Sequence, residues 1–287
     1  MTGRFATPAS AKTRGKWTSG VGAIFWLESL GRMGRAVAAS VFPPRCAGCG
    51  AWIDPGPERS RAVLGALLCE ACRQKLCLIG SPLCRVCGRP FDQYSVGDHC
   101  CGDCLETPPP FDMARSAAVY AAPLADLVQK LKYDGRLQTA RPLGELLRAA
   151  FWRHWTGRPV DLIIPVPLHR RRLRSRGFNQ VQIMLRHWSR PGPDETLAPV
   201  AAAIAPKVLM RQRHTPAQAG LDRQTRIRNM RGAFAVADHL AVQGRRILLV
   251  DDVMTTGATI AACVHSLKGA GAARVDVLTL ARTVKNA

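Results

Sequence analysis

Four Cys-x-x-Cys pairs crowd the front of this chain, and they limit its fold more than any other feature. Ten of the eleven cysteines lie between Cys46 and Cys104, and eight of them form Cys46/Cys49, Cys69/Cys72, Cys84/Cys87 and Cys101/Cys104. Two intervening residues let one tight turn aim both thiolates at one ion, and two such turns complete a tetrahedron. Nineteen residues separate the first two pairs and thirteen the next two, close to the spacing of paired metal knuckles across a loop. Gly50 and Gly88 directly follow the second cysteine of their pairs, where a knuckle turns its backbone. The expectation is one or two structural Zn²⁺ ions on these eight cysteines. Cys77 and Cys100 are spares, with Cys100 able to stand in for Cys101. Residues 54–67, "DPGPERSRAVLGAL", offer little for a core, so metal is expected to supply most of the folding energy there.

Disulfides are the rival use of so many cysteines, and they need an oxidising compartment. The N-terminus decides against export. The apolar run "VGAIFWL" is seven residues long, ends at Glu28 and is followed by Arg32 and Arg35, too short and too interrupted for a signal peptide or a membrane span. Trp26, Leu30, Met33 and Val37 instead recur at helical spacing. The reading is a disordered basic tail over 1–18, an amphipathic helix over 19–42 that packs on the protein, no integral membrane segment and a cytoplasmic location.

A Cys-rich double knuckle unit then occupies 43–106, and the prolines of "ETPPPFD" make 107–111 a stiff hinge. Beyond it, over 112–287, apolar strands alternate with amphipathic stretches. "ARSAAVYA", "DLIIPVP", a short stretch near Val208, "RRILLV" and "RVDVLTLA" read as strands. Leu124, Leu127, Val128 and Leu131 mark one helix, 138–155 and 178–188 two more, and Ile260, Cys263, Val264 and Leu267 the last. That alternation means an α/β fold, a mostly parallel sheet with helices on both faces. Cys263 falls on the apolar stripe and reads as core.

In such a sheet ligands gather at the carboxyl ends of the strands. "ILLVDDVMTTGATI", residues 247–260, ends a buried strand in two acids and opens a small hydroxyl-rich turn onto a helix. Backbone N–H groups, the positive helix end and the Thr255, Thr256 and Thr259 hydroxyls suit a phosphate monoester. Asp251 and Asp252 repel that phosphate unless they face another part of the ligand, and carboxylates accept well from vicinal hydroxyls or hold Mg²⁺. A ribose 5-phosphate meets both demands. A Walker B strand needs a G-x-x-x-x-G-K-[ST] loop upstream, which the chain lacks, and a solvated turn remains the plain alternative.

Two basic segments accompany this motif. "PVPLHRRRLRSRGFNQ", residues 165–180, follows a buried strand and carries Arg170, Arg171, Arg172, Arg174 and Arg176 with no acid. Arginine forks match phosphate oxygens, so this loop suits pyrophosphate. "RQRHTPAQAGLDRQTRIRNMRGAF", residues 211–234, is a long polar stretch whose one acid is Asp222, of the kind that closes over a site. His214, Gln218, Arg226 and Asn229 are its candidate contacts.

"ILLVDDVMTTGATI" resembles the phosphoribosyl pyrophosphate (PRPP) signature of type I phosphoribosyltransferases. The resemblance implies that Asp251 and Asp252 bind the ribose hydroxyls and take the catalytic positions. It places Thr255, Thr256, Gly257, Ala258 and Thr259 around the 5-phosphate. It also implies Mg²⁺ bound with PRPP, a pyrophosphate loop at 165–180 longer and richer in arginine than the usual form, and a mobile loop at 211–234. The Cys-rich unit followed by "LKYDGR", the two basic segments and "LLVDDVMTTGAT" together resemble the ComF family over residues 40 to 283, competence-type proteins linked to DNA uptake in natural transformation. Two functions follow from that resemblance. One is phosphoribosyl transfer from PRPP to an unidentified acceptor nitrogen. The other is non-catalytic single-stranded DNA binding that keeps a phosphorylated ribose as ligand, with a competence partner such as a helicase. The net charge of +21, from 41 Lys and Arg against 20 Asp and Glu, favours polyanionic partners in either case, though a codon bias toward arginine is the bland account.

Overall fold

Each knuckle pair ends on a short helix whose cap is itself a cysteine. Cys69 precedes α1 (Glu70–Gln74) and Cys101 precedes α2 (Gly102–Glu106), so the second cysteine of each pair, Cys72 or Cys104, sits on the first turn. Gly50 and Gly88 both take positive φ, 78° and 68°, as the knuckle turns require. Gly88 is also needed for contact, since a Cβ there would lie 2.4 Å from the Ala114 carbonyl oxygen. The computed structural model describes residues 44–53, 64–92, 94–191, 198–213, 230 and 232–284. The basic tail and the amphipathic helix expected over 1–42 lie outside the described residues.

The α/β part follows its apolar spacing. Strand β1 (Met113–Val119) leads to α3 (Leu124–Tyr133), on which Leu124, Leu127, Val128 and Leu131 are all buried. A 3₁₀ turn (Leu137–Thr139) opens α4 (Ala140–Trp155), and β2 (Leu162–Pro165) follows. Next come α5 (Arg170–Arg176), α6 (Gln180–Leu185) and the two-residue β3 (Ala203–Ile204). β4 (Leu209–Arg211) and β5 (Phe234–Val236) form a separate antiparallel pair. β6 (Arg246–Met254), α7 (Ala258–Gly269) and β7 (Arg274–Arg282) finish the fold.

Five strands make one all-parallel sheet in the order β1-β7-β6-β2-β3. Alternate residues of β6 serve opposite faces: Leu248 and Val250 join α3, α4 and α6, whereas Ile247 and Leu249 join α7. The cysteine clusters divide in the same way. Cys46 and Cys72, with Leu64 and Leu68, belong to the first core, and Cys84, Cys87, Cys101 and Cys104 to the second. Residues 45–287 group as one compact unit.

Contacts therefore cross the 107–111 segment. Ile79 N–H donates to the Ala117 carbonyl at 3.0 Å and Val119 N–H to Cys77 O at 2.8 Å, so residues 77–79 run antiparallel along the outer side of β1. Ala114 N–H reaches Val86 O at 2.7 Å. Buried Trp155 donates from Nε1 to Asp276 Oδ2 at 3.0 Å, tying α4 to β7. Cys263 is fully buried on α7 among Ile260, Val264 and Leu267. Among the described residues no helix is long and apolar enough to cross a membrane.

Candidate functional site

The carboxyl ends of β2 and β6 lie side by side, with Pro165 in register with Val250. Chain connections leave β2 toward β3 and β6 toward β7, in opposite directions across the sheet. A crevice opens at such a reversal. β6 runs farther than its apolar stretch, through Asp251, Asp252 and Val253 to Met254, because backbone pairing with β7 continues to Met254↔Arg282. The turn proper is short. Gly257 takes φ 76° and caps α7 without a side-chain hydrogen bond, leaving the first amides of the helix open. Thr255 is exposed, and Thr256 and Thr259 are half-buried. The Thr256 Oγ1 atom is buried with no hydrogen-bond partner. A buried hydroxyl left so costs about 1–3 kcal/mol, and a phosphate oxygen beside the open helix amides would supply the missing acceptor. The turn fits a phosphate.

The two acids differ. Asp252 is buried at 5% exposure, and its Oδ2 receives Gln180 Nε2 at 2.6 Å and Lys132 Nζ at 2.8 Å. Lys132 lies on α3 and Gln180 opens α6, so three chain segments meet on one oxygen. Burial works against the Lys132 charge, but the Asp252 carboxylate outweighs it and raises the ammonium pKa. Asp251 is half-buried, and its Oδ1 accepts the Asp252 backbone N–H at 2.9 Å. Burial, and then the neighbouring Asp252 charge, push Asp251 up to about 7, against the pull of Lys132 and Arg211.

The arginine segment is a helix rather than the expected open loop. His169 caps α5, its Nδ1 accepting Arg171 N–H at 3.2 Å, and Gly177 at φ 81° closes it. A capping side chain before the run and a glycine after it were the legible signals, hidden by the absence of an apolar stripe. Arg170, Arg171 and Arg174 are exposed on α5, while Arg172 and Arg176 are half-buried. Arg176 donates to Gln180 Oε1 at 2.6 Å, and its guanidinium lies 5.4 Å over the Tyr133 ring. Asn179 pins the return to β2, donating to Val166 O at 3.0 Å and accepting from Val181 N–H at 2.9 Å.

The 211–234 segment joins the β4–β5 pair, and its candidates His214, Gln218, Arg226 and Asn229 lie outside the described residues. Its first residue was missed as a site candidate. Arg211 packs over Phe234 at 5.5 Å, and burial, then the nearby Arg172 charge, lower its pKa, opposed by Asp251. Lys132 and Gln180 were missed for a similar reason, since only the tertiary fold brings them to Asp252.

Eight cysteines gather into two clusters, Cys46/Cys49/Cys69/Cys72 and Cys84/Cys87/Cys101/Cys104, each with its sulfurs within 4.8 Å of one another. Zinc–sulfur bonds of about 2.3 Å in a tetrahedron imply sulfur separations of about 3.8 Å. Cys49 and Cys69 are 3.6 Å apart and Cys87 and Cys101 3.7 Å. Backbone amides also point at the sulfurs, Cys69 N–H at Cys46 Sγ (3.3 Å) and Cys87 and Cys101 N–H at Cys84 Sγ (3.4 Å each). Both clusters fit structural Zn²⁺. Cys101 rather than Cys100 takes the ligand position, and Cys77 stays outside both sets.

Comparison with known proteins follows the same division. The Double zinc ribbon domain family matches residues 37–105 and the Phosphoribosyl transferase domain family residues 198–286. The chain is 36% identical to the DNA utilization protein YhgH of Salmonella typhi over 234 residues, covering 76% of this chain and 97% of that protein. It belongs to the ComF/YhgH family. Competence protein F of Haemophilus influenzae is 31% identical over 229 residues, covering 75% and 96%. Competence protein ComFC of Bacillus subtilis is 23% identical over 227 residues, covering 75% and 84%. The ComF/YhgH assignment joins a Cys-rich zinc-binding region to a phosphoribosyltransferase-like α/β domain, the two parts found here around one parallel sheet.

Proposed function

We propose that this protein binds PRPP at the β6–α7 turn and transfers its phosphoribosyl group to an acceptor nitrogen. The observation that carries this reading is the partnerless buried hydroxyl of Thr256 beside the uncapped start of α7. The 5-phosphate lies on Thr255, Thr256, Gly257, Ala258 and Thr259, and Asp251 and Asp252 face the ribose hydroxyls. Mg²⁺ bound with PRPP supplies charge neutralisation for the pyrophosphate. In the reaction the bond from the anomeric carbon to pyrophosphate breaks, and a bond to the acceptor nitrogen forms as that nitrogen gives up its proton to solvent. Positive charge develops on the ribose ring, and the carboxylates of Asp251 and Asp252 stabilise it, Asp251 doing so in its ionised form. The exposed arginines of α5 receive the departing pyrophosphate. Reduced thiols in both clusters fit a cytoplasmic setting.

The test is calorimetric titration of PRPP with and without Mg²⁺, on the parent chain and on Asp251→Asn/Asp252→Asn. Saturable binding that the double substitution abolishes is expected, and absence of binding to the parent would end the reading. Pyrophosphate release that depends stoichiometrically on an added acceptor then separates transfer from binding alone.

A second reading keeps the PRPP pocket and makes the protein a handler of single-stranded DNA, working with a competence partner such as a helicase. The names of its relatives, its net charge of +21 and the exposed Trp52 under the Arg45 guanidinium, 3.8 Å from the ring centroid, favour it. DNA affinity that falls steeply as salt rises, with no release of pyrophosphate, decides for this reading over transfer.

A further inference from the structure

We propose that Lys132 and Gln180 are positioning residues for the ribose end of the site, and that Arg176 serves them rather than the pyrophosphate. The inference rests on the reading of the β6–α7 turn as a PRPP site. Five side chains close a ring. Lys132 Nζ and Gln180 Nε2 both meet Asp252 Oδ2, Gln180 Oε1 takes Arg176, and the Arg176 guanidinium covers Tyr133, the chain neighbour of Lys132. Gln180 cannot be turned over, since its carbonyl would then face a carboxylate and its amide a guanidinium. Asp252 and Gln180 are each 5% exposed, so neither trades these partners for water.

The ring divides the work of the motif between its two acids. Oδ2 of Asp252 already carries two donors, which leaves Oδ1 to meet a ribose hydroxyl in a fixed direction. Asp251 has no side-chain cation at hydrogen-bond distance among the described residues and is the acid that adjusts to the ligand. The ring also divides the five arginines of α5. Arg170, Arg171 and Arg174 are exposed and available to an anion, whereas Arg176 is engaged on one side by Gln180 and on its face by Tyr133. Its place in the arginine run reflects the need for a fixed cation at the end of α5, where it orders the Gln180 amide that holds Asp252.

The test uses the full-length zinc-loaded protein, Mg²⁺ and three probes titrated separately: PRPP, ribose 5-phosphate and inorganic pyrophosphate. Lys132→Met and Gln180→Leu are each expected to weaken PRPP and ribose 5-phosphate by about 10- to 100-fold, the usual cost of losing a supporting partner. Pyrophosphate is expected to stay within about twofold, since among the described residues Arg170, Arg171 and Arg174 share no partner with Lys132 or Gln180. Lys132→Arg restores ribose 5-phosphate binding, which a general loss of folding would not, and thermal melting is recorded for every variant. Arg176→Ala is expected to follow the same pattern, whereas Arg171→Ala weakens pyrophosphate and spares ribose 5-phosphate. Where Lys132→Met does not fold, Gln180→Leu carries the decision. A parent that binds neither PRPP nor ribose 5-phosphate overturns the site reading and this inference together. A parent that binds both, with Lys132→Met and Gln180→Leu unchanged, overturns the inference alone. Loss of pyrophosphate affinity in Arg176→Ala, with ribose 5-phosphate spared, returns Arg176 to the pyrophosphate.

Discussion

Arg282, the last residue of β7, donates from its buried guanidinium to the backbone carbonyl of Cys87 at 2.6 Å. The second cysteine cluster is thereby held by the same strand end that pairs with Met254, directly before the Thr255–Gly257 turn. The second cysteine cluster and the β6–α7 turn share a support. Stripping zinc with a strong chelator under reducing conditions is therefore expected to loosen the strand end as well as the knuckles. Hydrogen exchange over 113–119 and 274–282 should accelerate, and PRPP affinity measured by calorimetry should fall. Arg282→Met should reproduce part of the effect without metal loss, at a cost of about 1–3 kcal/mol for the unpaired Cys87 carbonyl.

Thr256→Val separates ligand recognition from folding. Valine keeps the branched shape and removes a buried hydroxyl that has no partner in the protein. The variant is expected to match or exceed the parent in denaturant stability, by up to about 1 kcal/mol, while losing PRPP affinity. Chemical unfolding curves and titrations on the same preparations check both halves. Equal affinity would remove the hydroxyl from the phosphate site.

Gly257→Ala tests the turn through its backbone. At φ 76° any Cβ is strained, although nothing lies within 4 Å of where it would sit. The expected loss is about 1–2 kcal/mol, from conformation alone. Ribose 5-phosphate affinity should fall with it, because relief of that strain moves the amides at the start of α7.

His154 supplies a pH signature far from the site. Burial, then the Arg115 and Arg153 charges, lower its pKa to about 4. Its ordinary value is near 6.5, so the unfolded chain takes up a proton first as pH falls. Stability from the neutral imidazole is present above about pH 6.5 and is lost as pH falls through 4. Between pH 7 and pH 5 the parent should lose on the order of 1 kcal/mol more than His154→Gln, after allowance for solvent screening. Urea midpoints of the two proteins at each pH, with zinc present, provide the check.

Much of this arrangement is legible in the residues because it depends on local spacing. The Cys-x-x-Cys pairs mark both clusters, leucine spacing marks α3, an unbroken apolar run marks β6, and an apolar stretch broken only by Asp276 and Thr279 marks β7. Segments without an apolar stripe were opaque. α5 buries no residue at all, and β3 is two residues long, so neither leaves a periodic trace. Lys132 stood in plain view within "LKYDGR", but its value comes from Asp252, which reaches it only through the winding of the sheet. Cys101 differs, because its Cys-x-x-Cys spacing to Cys104 already favours it over Cys100, and the cluster contains it.

The antiparallel contact between residues 77–79 and β1 has a consequence for how the protein can be divided. β1 is the outermost strand on its side of the sheet. Cut away from the Cys-rich region, it would show a row of unsatisfied amides and carbonyls along an apolar strand. Such a border recruits strands from other molecules. A fragment trimmed to the α/β part alone is therefore expected to self-associate, and residues 77–79 act as a selvedge that keeps this side of the sheet from growing.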